Sequence, residues 1–157
     1  MTPRLLLHPY TELEAARVVR GTPLTGEIWD RDYPLEEEHD LLRGAIAERS
    51  VESHPFGLYQ IRRHSDGMVI GGIGFFGPPD EFDAVEIRFG VVPSAAGNNF
   101  AAEAVTALVG VAREHGARFL IASTTVANLA AQSSLLGGGL REIVRDDDLV
   151  HYAVELG

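Results

Sequence analysis

Between residues 84 and 112 the apolar period of the chain switches from two to 3.6, and that switch constrains the fold more than any other feature. Val85, Ile87, Phe89 and Val91 alternate with Glu86, Arg88 and Gly90, the pattern of a strand with one buried face. Beyond Pro93, Ala101, Ala104, Val105, Leu108, Val111 and Ala112 recur at i, i+3, i+4 and i+7, one stripe of a helix that Gly116 can end. Upstream, Met68 to Phe76 is almost continuously apolar, as in a strand covered on both faces.

The remaining chain divides by the same signals. Arg4 to Pro9 reads as an opening strand, and Thr11 as the cap of a helix with Glu12 and Glu14 in its first turn, running to about Arg20. Residues 21–34 read as a loop. Leu35 to Glu48 reads as a second helix, with Leu35, Leu41, Leu42, Ile46 and Ala47 loosely on one face. Its acidic opening, Glu36 to Asp40, reads as a solvated first turn complementing the helix dipole. Phe56 to Arg63 and Met68 to Phe76 predict two strands joined by the turn His64 to Gly67, and Ala84 to Val92 predicts a third. Phe119 to Ser123 predicts a strand, and Asn128 to about Leu136 a short helix ended by three glycines. Leu140 to Arg145 and Leu149 to Leu156 predict a closing hairpin. The order is β-α-α-β-β-β-α-β-α-β-β, an α/β (α+β) arrangement, and 157 residues without linker or repeat point to one domain over 1–157.

Composition removes whole chemistries. All thirteen basic residues are arginine, against 23 Asp and Glu, for a formal charge of −10. Without lysine there is no Schiff-base chemistry and no Walker-type phosphate loop. Without cysteine there is no disulfide, zinc ribbon or thiol nucleophile. Such acidity argues against a reader of the nucleic-acid backbone. The six histidines show no metal-ligand spacing, so no metal site is expected. The opening apolar run, Leu5 to Leu7, is too short for a signal core or a membrane span, so a cytoplasmic protein without membrane attachment is the expectation.

Three local motifs, in this order, resemble the GNAT superfamily of acetyl-CoA-dependent N-acetyltransferases over nearly the whole chain. Val85-Glu-Ile-Arg-Phe-Gly-Val-Val-Pro93 is similar to the family's fourth strand. Gly97-Asn-Asn-Phe-Ala-Ala-Glu-Ala104 stands where the family has its pyrophosphate loop and following helix. Val126-Ala-Asn128 resembles the start of its fourth helix. Pro3-Arg-Leu-Leu-Leu and Ile73-Gly-Phe-Phe look like the branch that includes the ribosomal-protein N-terminal (Rim-type) acetyltransferases. The resemblance implies a mixed, mostly antiparallel sheet of about seven strands flanked by four helices.

It also implies roles for residues. Glu86 becomes the proton acceptor, since an amine of pKa about 10 arrives protonated and cannot attack a thioester; a salt bridge to Arg88 is the competing reading. Gly90, Val91 and Val92 become the backbone that holds the pantetheine arm and polarises the thioester carbonyl. Gly97, Asn98, Asn99, Phe100 and Ala101 become the pyrophosphate cradle, built from backbone N–H groups at a helix start. The family pattern Arg/Gln-x-x-Gly-x-Gly/Ala is degenerate here: Ala96 stands at the basic position and Asn99 at the central glycine. A plain junction capped by Asn98 remains the alternative. Asn128 becomes either a contact to the pantetheine amides or a helix N-cap.

Helical spacing places Ala131, Gln132 and Leu135 on the Asn128 face and turns Ser133 and Ser134 away, leaving no general acid. The acceptor side is assigned to Trp29, Asp32 and Tyr33 of the loop, with Asp30 beside them, and to Tyr152 next to His151 on the last strand. For Trp29 the competing role is anchoring a surface loop. The implied activity is acetyl transfer from acetyl-CoA to a small cationic amine or a protein N-terminus, with a homodimer left open. The alternative is a weakly active or inactive acyl-CoA-binding or protein-interaction domain on the same fold. Set beside Ala96, the missing lysines mean that backbone amides and scattered arginines must hold the polyanionic cofactor.

Overall fold

A computed structural model describes residues 2–157. Seven strands form one sheet: β1 (Leu5–Pro9), β2 (Leu58–Arg63), β3 (Val69–Phe75), β4 (Ala84–Val91), β5 (Phe119–Thr125), β6 (Arg141–Arg145) and β7 (Leu149–Glu155). Their spatial order is β1-β2-β3-β4-β5-β7-β6. Every neighbouring pair is antiparallel except β4–β5. Four α-helices accompany them: α1 (Glu12–Arg20), α2 (Glu36–Glu48), α3 (Phe100–Glu114) and α4 (Leu129–Gly137). The mixed, mostly antiparallel α/β architecture and the element order are those expected from the sequence.

The period switch acts as predicted. Val85 and Ile87 are buried, and Ala104, Val105, Leu108 and Ala112 of α3 are buried with them in the core. Burying four such side chains supplies several kcal/mol at about 25 cal/mol per Å² of apolar surface. The helix packs against β4, β3 and β1, so the strand that begins the motif and the helix that ends it share one core. On β3 all seven residues are buried, in keeping with its unbroken apolar run.

The α2 stripe differs from its expected composition. Its buried positions are Glu38, Leu42 and Ala45, whereas Ile46 and Ala47 are exposed. The first turn sits directly on two paired glycines, Gly72 of β3 and Gly90 of β4. A Cβ built on Gly90 would lie 2.8 Å from Leu35 Cδ1, and one built on Gly72 would lie 2.2 Å from Glu38 Oε1. Leu35 and Glu38, three residues apart, therefore occupy the space that two missing side chains leave.

Candidate active site

Strands β4 and β5 pair over only three residues, Ala84 to Glu86 against Phe119 to Ile121, and then part. The direction of the β4 backbone groups beyond that point follows from its bonds to β3. Glu86 accepts from the Phe76 N–H at 2.9 Å, and the Val92 N–H donates to Ile70 at 2.8 Å. Residues on an antiparallel strand alternate between bonding to one neighbour and bonding to the other. Even-numbered residues 86 to 92 therefore spend their N–H groups on β3. Phe89 and Val91 direct theirs to the opposite edge, where β5 has left.

A cavity of about 540 Å³ opens at that edge, lined by Phe89, Gly90 and Val91 of β4. Three helix starts border it. From α3 come Asn99, Phe100 and Ala101; from α4, Asn128, Ala130 and Ala131; and from α2, Glu36 and Glu37, with Leu35 just before them. At α3 no side chain caps the first turn, and Asn99 takes a left-handed conformation at φ 59. Gly97 is also left-handed, at φ 87. These two positive φ values fold the loop so that the α3 start, with its uncapped N–H groups and partial positive charge, faces the cavity. No arginine lines it. Beside the α3 start, Arg4 is stacked 4.5 Å over the Phe100 ring and bonded through Nε to Glu103 at 2.7 Å. A space of about 540 Å³ lined by an uncapped helix start suits an anionic, extended ligand better than a compact neutral one.

A family model described as an acetyltransferase (GNAT) domain matches residues 4–141. The chain belongs to the GNAT acetyltransferases. No curated protein matches it by sequence. Among solved structures, it is similar to a GNAT-family acetyltransferase from Bacillus anthracis, with 14% identity, TM-score 0.68, and 99% of this chain and 97% of that one covered. A dodecameric spermidine N-acetyltransferase from Vibrio cholerae gives 12% identity and TM-score 0.70, covering 99% and 95%. A ribosomal-protein-S5-alanine acetyltransferase from Vibrio fischeri gives 9% and 0.69, covering 99% and 94%. At such identities the likeness is one of fold.

Within this GNAT fold the sequence-assigned residues separate into three groups. Gly90, Val91, Gly97, Asn99, Phe100, Ala101 and Asn128 meet at the cavity. Asn128 is also the N-cap of α4, its Oδ1 accepting from the Ala131 N–H at 3.0 Å. Val92 and Asn98 do not line the cavity. Val92 is fully buried with its N–H bonded to β3, and the Asn98 side chain donates to the Ala95 carbonyl at 3.2 Å rather than capping α3. The third group lies apart. Glu86 is exposed on the sheet face opposite α3, with no ion pair or side-chain hydrogen bond among the described residues; Arg88 instead approaches Glu37 at 3.9 Å.

In the α1–α2 loop, Trp29 packs edge-on against Tyr33 and bridges to Val69. Asp32, with Asp30, accepts from the Ser94 hydroxyl at 2.9 and 2.5 Å, tying the loop to the segment after β4. Tyr33 is buried beneath the loop and does not face the cavity. Its hydroxyl donates to Glu38 at 2.6 Å, and burial first, then the neighbouring Glu38 charge, holds its pKa far above the usual phenol value. Tyr152 is 1% exposed and sits in the core, so of the last-strand pair only His151 lies on the open face. There its Nδ1 is 2.7 Å from Ser123 Oγ.

The geometry also brings in residues that sequence reasoning passed over. Ser133 and Ser134 line the cavity beside Ala131, while Gln132 and Leu135 turn into the core, so the expected α4 phase holds for Ala131 alone. The Gln132 amide donates to the Thr125 and Val126 carbonyls, both at 3.0 Å, which holds this side chain inward. Glu36 and Glu37 are solvated as expected, and they also line the cavity. The cavity lining thus combines uncapped helix-start amides with two carboxylates. No group of three or more His, Cys, Asp or Glu suited to a metal occurs among the described residues.

Proposed function

We propose that residues 1–157 form one acetyl-CoA-dependent N-acetyltransferase domain acting on a primary amine, either a small cationic amine or a protein N-terminus. The observation that carries this reading is the cavity at the parting of β4 and β5, lined by the uncapped α3 start and by Glu36 and Glu37. Acetyl-CoA would supply an activated acetyl thioester. Gly97 and Asn99 to Ala101 would hold its diphosphate through backbone N–H groups, with Asn128, Ser133 and Ser134 along its path. The Phe89 and Val91 N–H groups are the donors set toward a developing oxyanion. A cationic amine is drawn to Glu36 and Glu37, and the acceptor side extends over the open face bearing Glu86, beside a loop held by Asp32 and Trp29. Glu86, exposed and unpaired, passes the released proton to solvent. Spermidine and ribosomal-protein acetyltransferases among the structural relatives support an amine acceptor of either size.

Calorimetry with acetyl-CoA tests the first half: binding is expected, weaker than in a site with basic side chains, and no binding at millimolar cofactor overturns the reading. Thiol release over a panel of amines tests the second. Binding without release from any amine would instead favour an acyl-CoA-binding domain. Glu86→Gln is expected to slow release, and an unchanged rate removes Glu86 from the mechanism.

A further inference from the structure

Glu86 lies four residues from Gly90 along β4, roughly 13 Å at the rise of a strand. A nearer carboxyl exists, and it is buried. Glu38 is 3% exposed and lies over Gly72, the cross-strand partner of Gly90, about one strand spacing (~5 Å) from the backbone that lines the cavity. Its Oε2 accepts from the hydroxyls of both Tyr10 and Tyr33. Its Oε1 is buried with no hydrogen-bond partner among the described residues. That is costly for a carboxyl unless something else meets it.

Glu38 borders a small cavity of about 10 Å³, the least space that admits one water, lined also by Tyr10, Tyr59, Gly72 and Arg88. Arg88 links this space to the large one, because its guanidinium approaches Glu37 on the large cavity's rim at 3.9 Å. The other groups facing Glu38 are already committed. Tyr10 comes from the β1–α1 junction and Tyr33 from the α1–α2 loop. Gln60 of β2 donates to the Tyr33 hydroxyl at 3.2 Å, and the Tyr59 hydroxyl donates to the Pro55 carbonyl at 2.5 Å.

We propose that Glu38 is the first proton acceptor for the incoming amine, acting through one water held between its Oε1 and Arg88. The inference rests on the acetyl-transfer reading above. One proton moves from the ammonium nitrogen to the water, and one from the water to Oε1, so that the nitrogen lone pair is freed. Ammonium and carboxylate become amine and neutral acid together, leaving no net charge in a poorly solvated site. After the product leaves, the acid returns its proton to solvent past Arg88 and Glu86. Burial holds the Glu38 pKa above the usual carboxylate value despite the tyrosine hydroxyls and Arg88, which makes its carboxylate a stronger base than an ordinary one.

The test uses the full chain with acetyl-CoA and two probes, spermidine and an alanine-initiated peptide, following thiol release from pH 6 to 10. For Glu38→Gln the expected result is a loss of about tenfold or more near pH 7, shrinking toward parity as the amine deprotonates in solution near pH 10. A purely structural role lowers the rate by the same factor at every pH, and that outcome overturns the proposal, as does an unchanged rate. Tyr33→Phe keeps the carboxyl but removes a donor that lowers its pKa, so its acid limb is expected to move to higher pH; an unmoved limb also overturns the proposal.

A second readout needs no turnover. The infrared carbonyl band of a buried acid, identified by its absence in Glu38→Gln, is expected to titrate over the range of the kinetic limb. Band and limb titrating apart overturn the assignment. No thiol release from the wild type with either probe overturns the acetyl-transfer reading for both acceptor types, and this proposal falls with it.

Discussion

Glu14 and Glu38 occupy the same position, third in the first turn, of the two consecutive helices α1 and α2, and both are buried. Their chemistry is opposite. Burial alone would raise the pKa of Glu14, but the Thr11 backbone N–H, His8 and the Thr11 hydroxyl outweigh it and hold the carboxyl below its usual value. Arg62 adds an ion pair at 3.2 Å. Glu14 closes a capping box with Thr11 and satisfies its own helix. Glu38 has no such box, because Leu35 offers no side-chain cap, and the helix places it over Gly72 with two tyrosines and one unpartnered oxygen. Burial dominates there and the pKa rises. Position in a helix therefore does not decide what a buried carboxyl does; the donors that reach it do.

The largest expected effect comes from filling the seat of Glu38. Gly72→Ala sets a methyl 2.2 Å from Oε1 and 2.4 Å from Cδ, so α2 must lift or Glu38 must leave. A loss of about 1–3 kcal/mol in urea unfolding is expected. A variant of unchanged stability would show that the α2 contact is soft.

Next, Glu14→Ala removes the capping box, takes the carboxylate from His8 and leaves Arg62 with Glu27 alone. About 2 kcal/mol of stability should be lost at neutral pH. Because the folded pKa lies below the unfolded 4.5, this contribution is full above that value and fades as pH falls through the folded pKa. The gap between wild type and variant should narrow in acid; a gap independent of pH would mean that the carboxylate charge plays no part.

Asn128→Ala supplies a reference cap without a carboxyl. About 1 kcal/mol is expected in unfolding, with no such acid dependence, together with weaker acetyl-CoA binding by calorimetry.

The smallest effect on stability is expected for Glu38→Gln. Its folded pKa lies above 4.5, so its contribution is full below that pH and is lost as pH rises through the folded value. Relative to the variant, the wild type should lose stability across that rise, and a parallel pair of pH–stability curves would contradict the raised pKa.

Much of the fold was legible because its signals are local. The alternation at Val85 to Val91 and the stripe from Ala101 to Ala112 each require only that one face be buried, and they recovered β4 and α3 almost to the residue. The same rule held the answer for Tyr152: it shares its strand face with Val150 and Val154, on the core side, while His151 alternates to the other. The site was less legible where helix phase mattered. Gln132 reads as polar and cavity-facing, yet two carbonyls at the end of β5 take its amide inward, and Ser133 and Ser134 line the cavity. Within Glu36-Glu-Glu38 nothing in the run marks one carboxyl as different, since a charge run at a helix start is ordinarily solvated.

The sequence by itself determined that the chain is an α/β fold with a β4–loop–α3 unit, that Gly97 and Asn99 can turn a loop without basic side chains, and that any polyanion must be met by backbone amides or arginines. Those conclusions follow from period, backbone permissiveness and composition, which each residue carries with it. Only the tertiary structure decided that Phe89 and Val91 face the cleft, that Arg88 pairs with Glu37 and leaves Glu86 open, and that Glu38 is buried beside the site. Each of those depends on which distant element supplies or withholds a partner, and partnership across the sheet is not written in any one segment.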